Sequence, residues 1–69
     1  LAEIEIPVQF VGKTLRELDV RNRFGASVVA VRRGDQVSAN PAPGEPLQAG
    51  DILLSLGSSE AIARLAELV

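Results

Sequence analysis

Between Gly12 and Arg33 the chain carries Lys13, Arg16, Arg21, Arg23, Arg32 and Arg33, six of its seven basic residues. Glu17 and Asp19 are the only acids in that stretch, which therefore holds a net +4 inside a chain whose overall charge is −2. Guanidinium groups offer planar forks of donors that match phosphate and carboxylate oxygens. A local excess of them where a helix meets a strand is a reason to look for a small anionic ligand. Arg21 is the first candidate for a phosphate clamp. Its plainer alternative is a solvated pair with Glu17, four residues earlier, a contact that contributes little when exposed. Arg32 and Arg33 read as solvated residues that terminate a strand. Asp51, behind Gly50, reads as a turn carboxylate accepting from backbone N–H groups rather than as a metal ligand.

Missing residue types narrow the chemistry further. There is no histidine, which removes the commonest general base and metal ligand, and Lys13 is the only lysine. There is no cysteine, so disulfides and thiolate metal sites are excluded. These absences predict a binding domain, not an enzyme. Nucleic acid is an unfavoured partner, because the net charge is negative and both aromatic residues are phenylalanines at expected core positions. No apolar run approaches the ~20 residues of a membrane span, and nothing at the start reads as a signal peptide.

These groups need elements to hold them. Glu3 to Phe10 alternates, with Ile4, Ile6, Val8 and Phe10 on one side and Glu3, Glu5, Pro7 and Gln9 on the other. This predicts a half-buried strand that Pro7 confines to an edge or an irregularity. Thr14 and Glu17 form a capping box for a helix reaching Phe24, with a break expected near Leu18–Asp19 and a left-handed stop at Gly25. Ser27 to Val31 reads as a central strand covered on both faces. Gln36 to Ala39 is a short return strand. Asn40 to Gly50, with Pro41, Pro43 and Pro46, is a stiff irregular loop. Asp51 to Leu56 is the last strand. Ser58 caps a final helix through Val69, with an inward stripe of Ile62, Leu65, Ala66 and Val69 and an exposed Glu60–Arg64 pair.

Sixty-nine residues make one small domain, 1–69, near the lower limit for a self-sufficient core. Its apolar side chains are mostly Leu, Ile, Val and Ala, so stability is expected to come partly from a second apolar face buried against a copy or a neighbouring domain. The abrupt start at Leu1 suggests a piece excised from a longer protein. The fold class expected is α+β, a small mixed or antiparallel sheet of about four strands with two helices.

The order Gly12-Lys13-Thr14-Leu15, Leu18-Asp19-Val20-Arg21, Phe24-Gly25, Gly50-Asp51 and Gly57 resembles the RCK C-terminal domain, also called TrkA-C. The likeness runs from Ile6 to Leu68. It implies a cytoplasmic homodimerising module attached to a Rossmann-like RCK domain of a potassium channel or transporter. Within the family the chain looks most like a branch whose dimer cleft binds cyclic di-AMP, because Leu-Asp-Val-Arg is followed by Arg-Phe-Gly. That resemblance implies Arg21 at the ligand phosphates, Leu15 and Arg16 flanking the purine, Ser27 and Val28 as further ligand-binding residues, and Pro41 as the loop proline lining the cleft. Arg16 stands where the branch usually has an aliphatic residue, and Ser27 where it usually has asparagine. The alternative is a purely structural dimerisation module, with regulation in the RCK domain.

Overall fold

A computed structural model describes residues 1–67. Four strands form one antiparallel sheet in the order β1-β4-β2-β3, where β1 is Ala2–Glu5, β2 Ser27–Arg33, β3 Gln36–Ala39 and β4 Ile52–Leu56. Three short helices pack on one side: α1 (Leu15–Leu18), α2 (Val20–Phe24) and α3 (Ser59–Ala66). Ile4, Val31 and Leu53 from three strands meet Leu18, Val20, Ala61 and Leu65 from the helices in a single core. The α+β class holds, and the sheet is wholly antiparallel.

The first expected strand ends early. β1 stops at Glu5, and Val8–Phe10 form a single 3-10 turn closed by the Phe10 N–H donating to the Pro7 carbonyl at 2.9 Å. Proline has its φ fixed near the helical value and no N–H to lose, so it starts such a turn readily. Ile6 and Phe10 are buried as the alternation implies, but Pro7 is also buried and Val8 is 82% exposed. β1 lies at the sheet edge, as Pro7 implied.

The break in the first helix is real. The Thr14 hydroxyl accepts from the Glu17 N–H at 3.1 Å, and the Thr14 N–H donates to the Glu17 carboxylate at 3.1 Å. Asp19 then takes a left-handed conformation, φ 47°, which ends α1 and begins α2. Gly25, at φ 80°, ends α2. Only a residue without a Cβ adopts that conformation at no cost.

β2 is central by hydrogen bonding but is covered on one face only, contrary to the expectation of cover on both. Val28 and Val29 are half-buried. The pairing places Ile52, Leu54, Ala30 and Val37 on the face away from the helices, where the Arg32–Glu3 ion pair at 2.8 Å bridges across β4. A chain this short has helices enough for one side, and antiparallel sheets tolerate the other being open.

The Ser58 hydroxyl caps α3 by accepting from the Ala61 N–H at 3.1 Å. The buried line of α3 is Ala61 and Leu65, with Ile62 beside it, while Ala66 is exposed, so the expected stripe is rotated by about one residue. Val69 lies outside the described residues. Arg64 does not pair with Glu60; it donates to the Phe24 carbonyl at 3.1 Å and so ties α3 to the end of α2.

A candidate anion-binding groove

The loop from Asn40 to Gly50 is sewn to the start of α1. The Leu47 N–H donates to the Lys13 carbonyl at 2.8 Å, the Gly12 N–H to the Leu47 carbonyl at 2.9 Å, and the Arg16 N–H to the Pro43 carbonyl at 3.0 Å. Buried Leu47 anchors the loop in the core. Because N–H groups in the first turn of a helix lack intrahelical partners, a passing loop carbonyl satisfies one of them here.

This stitching closes one side of a groove of about 370 Å³. α1 contributes Leu15 and Arg16, the helix break Asp19, and α2 Val20 and Arg21. The entry to β2 contributes Ala26, Ser27 and Val28, and the loop contributes Pro43. Five of the six residues singled out from the sequence, Leu15, Arg16, Arg21, Ser27 and Val28, therefore share one concavity. The fold does not bring Pro41 to them. It borders a separate cavity of about 180 Å³ with Val31, Arg33 and Glu45. Pro43 stands in the groove instead, because its carbonyl holds Arg16. Three prolines in six residues gave no signal in the sequence to tell one from another. Asp19 was readable only as a break in the helix.

The basic stretch does not form one patch. Lys13 and Arg23 border a different hollow with Glu17 and Phe10. Arg23 lies over the Phe24 ring, 5.4 Å from its centroid. Arg32 and Arg33 belong to β2 and are not solvated turn residues. Arg33 donates from Nε and Nη2 to the two oxygens of Asp51, both at 2.9 Å, and Asp51 also accepts from the Gln48 N–H at 2.9 Å. Asp51 is fully buried, so the turn carboxylate expected from sequence is also the acceptor of an internal ion pair. The Arg33 hydrogen bonds, aided by the Gln48 N–H, hold its carboxyl below the usual carboxylate range against the effect of burial.

Arg16 and Arg21 differ from these. Both are exposed, and among the described residues neither makes an ion pair, Glu17 included. The groove thus offers two uncommitted guanidiniums beside an apolar wall of Leu15, Val20, Val28 and Pro43. Guanidiniums suit phosphate oxygens and the apolar wall suits a flat heterocycle, which together are the requirements of a nucleotide. Among the described residues no group of three acids could hold a metal ion, and no helix is long and apolar enough to cross a membrane.

The fold and groove define a small α+β domain with a partly basic cleft between α1, α2, the start of β2 and the proline loop. Residues 1–69 match the TrkA-C domain, and the chain belongs to that family. The Ktr system potassium uptake protein C of Bacillus subtilis is 36% identical over 69 residues, and the chain spans 31% of that protein's length. The RCK C domain of the potassium transport protein KtrA, solved in complex with cyclic diadenosine monophosphate, superposes with a TM-score of 0.94 at 26% identity, covering 99% of this chain and 80% of that one. The RCK_C domain dimer of S. agalactiae BusR, also solved with c-di-AMP, gives a TM-score of 0.83 at 26% identity over 97% of this chain and 89% of that one.

Proposed function

We propose that this domain is the cytoplasmic regulatory module of a potassium channel or transporter. Two copies pair about a twofold axis, and their grooves together take one cyclic di-AMP. The observation that carries this reading is the convergence of Leu15, Arg16, Arg21, Ser27 and Val28 on one groove, with neither arginine in an ion pair among the described residues. Arg21 meets a ligand phosphate, and Leu15, Val28 and Pro43 bear on the base. The two similar structures solved with c-di-AMP support the choice of ligand. Binding favours one arrangement of the two subunits, and the attached RCK and membrane parts respond to that population shift. The domain binds and does no chemistry of its own.

Calorimetric titration of the chain with cyclic di-AMP tests the proposal. A stoichiometry of one ligand per two chains is expected, with heat lost or strongly reduced in Arg21→Ala. No heat from the parent chain overturns the ligand assignment, and equal affinity in R21A removes Arg21 from the site.

A second reading is a purely structural dimerisation module. It draws on the open sheet face, where Leu56 and Val37 are 50% and 58% exposed. A sedimentation experiment separates the two, since a dimer whose assembly ignores cyclic di-AMP favours the structural role.

A further inference from the structure

An acid, Asp19, lines the groove together with the two arginines. Asp19 sits between Arg16 and Arg21, and its main chain is fixed on both sides. Its N–H donates to the Leu15 carbonyl at 3.0 Å and its carbonyl accepts from the Arg23 N–H at 2.9 Å. Only the carboxylate is free to turn. Three cations are within its sequence reach, at positions three before, two after and four after. Arg23 is engaged, with its guanidinium over Phe24 and Nη1 directed to the Leu18 carbonyl at 3.5 Å. A freely rotating Asp19 carboxylate would therefore pair with Arg16 or Arg21 and cancel the charge that the groove presents.

The Asn22 amide Nδ2 donates to both carboxylate oxygens of Asp19, at 3.0 and 3.2 Å. We propose that Asn22 is a positioning residue whose amide clamps the Asp19 carboxylate at the helix break and so keeps Arg16 and Arg21 available to an anionic ligand. The inference rests on the proposed ligand-binding role of this groove. Asn22 itself lines none of it.

The clamp can be read in the free chain and again through ligand affinity. Nuclear magnetic resonance of the 15N-labelled chain follows the rotation of each arginine side chain, which slows when a carboxylate pairs with it. Arg16 and Arg21 are expected to rotate freely in the parent chain. In Asn22→Ala one of them slows, and in the double variant D19N/N22A both are free again, since the charge that would pair is gone. Asn22→Ser, too short to reach both oxygens, gives the same reading if N22A does not fold. With cyclic di-AMP as the probe, N22A binds about fivefold more weakly, the scale of an exposed ion pair that must be broken first. D19N/N22A regains parental affinity or better. Asparagine tolerates the left-handed conformation as well as aspartate does, so D19N keeps the helix break.

Free rotation of both arginines in N22A overturns the clamp, as does capture of Asp19 by Arg23 instead. A D19N/N22A variant as weak as N22A also overturns it, by showing that Asn22 acts other than through Asp19. If the parent chain binds no cyclic di-AMP, the proposed ligand fails, while the rotation measurements still decide the clamp.

Discussion

Two arginine sites twelve residues apart in sequence behave in opposite ways. Arg33 is spent inside the protein, where both arms of its fork are taken by buried Asp51 and a third contact reaches Glu45 at 3.7 Å. Arg21 is exposed and, among the described residues, joined to no acid. Residue type is the same at the two, and each has acids close by in the sequence. What differs is whether the fold buries a carboxylate within reach. A buried acid must be compensated and so claims its arginine permanently. An exposed one pays little for solitude, and it leaves its neighbour free for a ligand.

Removing the buried acid should break this contrast with the largest effect. Asp51→Ala leaves the Gln48 N–H and the Arg33 fork without their acceptor, and a loss of about 2 kcal/mol is expected. That figure sits below the range for a fully buried pair because Arg33 remains partly in water. Urea unfolding measures it, and an unchanged midpoint would place the pair among contacts of no structural weight. Arg21→Ala is expected to leave the same unfolding curve unmoved. It should instead weaken cyclic di-AMP binding by about 1.5–2 kcal/mol, the worth of a hydrogen bond to a charged group. Stability lost in R21A with affinity intact would reverse the assignment of the two sites.

Acid sharpens the comparison more gently. The Asp51 carboxyl titrates lower in the folded chain than its ordinary value of 3.8. Its contribution to stability is thus complete above that value and disappears as pH falls through the lower, folded-state value. Parent and Asp51→Asn unfolding curves should converge along this acid limb, whereas parent and R21A should run parallel at every pH. The smallest effect is expected at the groove's edge. Thr14→Ala removes the cap that orients α1, at a cost of about 1 kcal/mol. Because Arg16 and Leu15 lie in the turn that Thr14 opens, ligand affinity should fall with it. Lost stability at constant affinity would show that the loop bond from Arg16 to Pro43 alone positions that wall.

Much of the fold was legible. The capping box at Thr14, the break at Asp19, the stop at Gly25 and the cap at Ser58 all depend on neighbours within four residues, so the sequence displays them directly. The strand expected through Phe10 was misread because Ile4, Ile6 and Phe10 fit two geometries. Period-two alternation and an extended segment closed by a 3-10 turn bury the same three side chains, and only Val8 and Pro7 distinguish them. In the candidate site, the residues on α1, α2 and the start of β2 were named from the family resemblance, with charge as a further reason for Arg21, and they share one groove because one turn and one glycine stop connect them. Pro41, named from the family resemblance, borders another cavity of the single chain while Pro43 stands in the groove, since a loop's register against a helix is set by long-range backbone bonds.

The sequence by itself determined where helices start and stop, which strands are apolar and which stretch holds the basic residues. These follow from capping, backbone freedom and periodicity, all short-range in the chain. The tertiary structure alone decided how the basic residues divide. It sent Arg33 to a buried acid eighteen residues away, held Arg23 against Phe24, and left Arg16 and Arg21 together in a groove closed by Pro43. The physical reason is that a charge's role depends on which opposite charge is desolvated beside it, and burial is a property of the packed chain rather than of any segment.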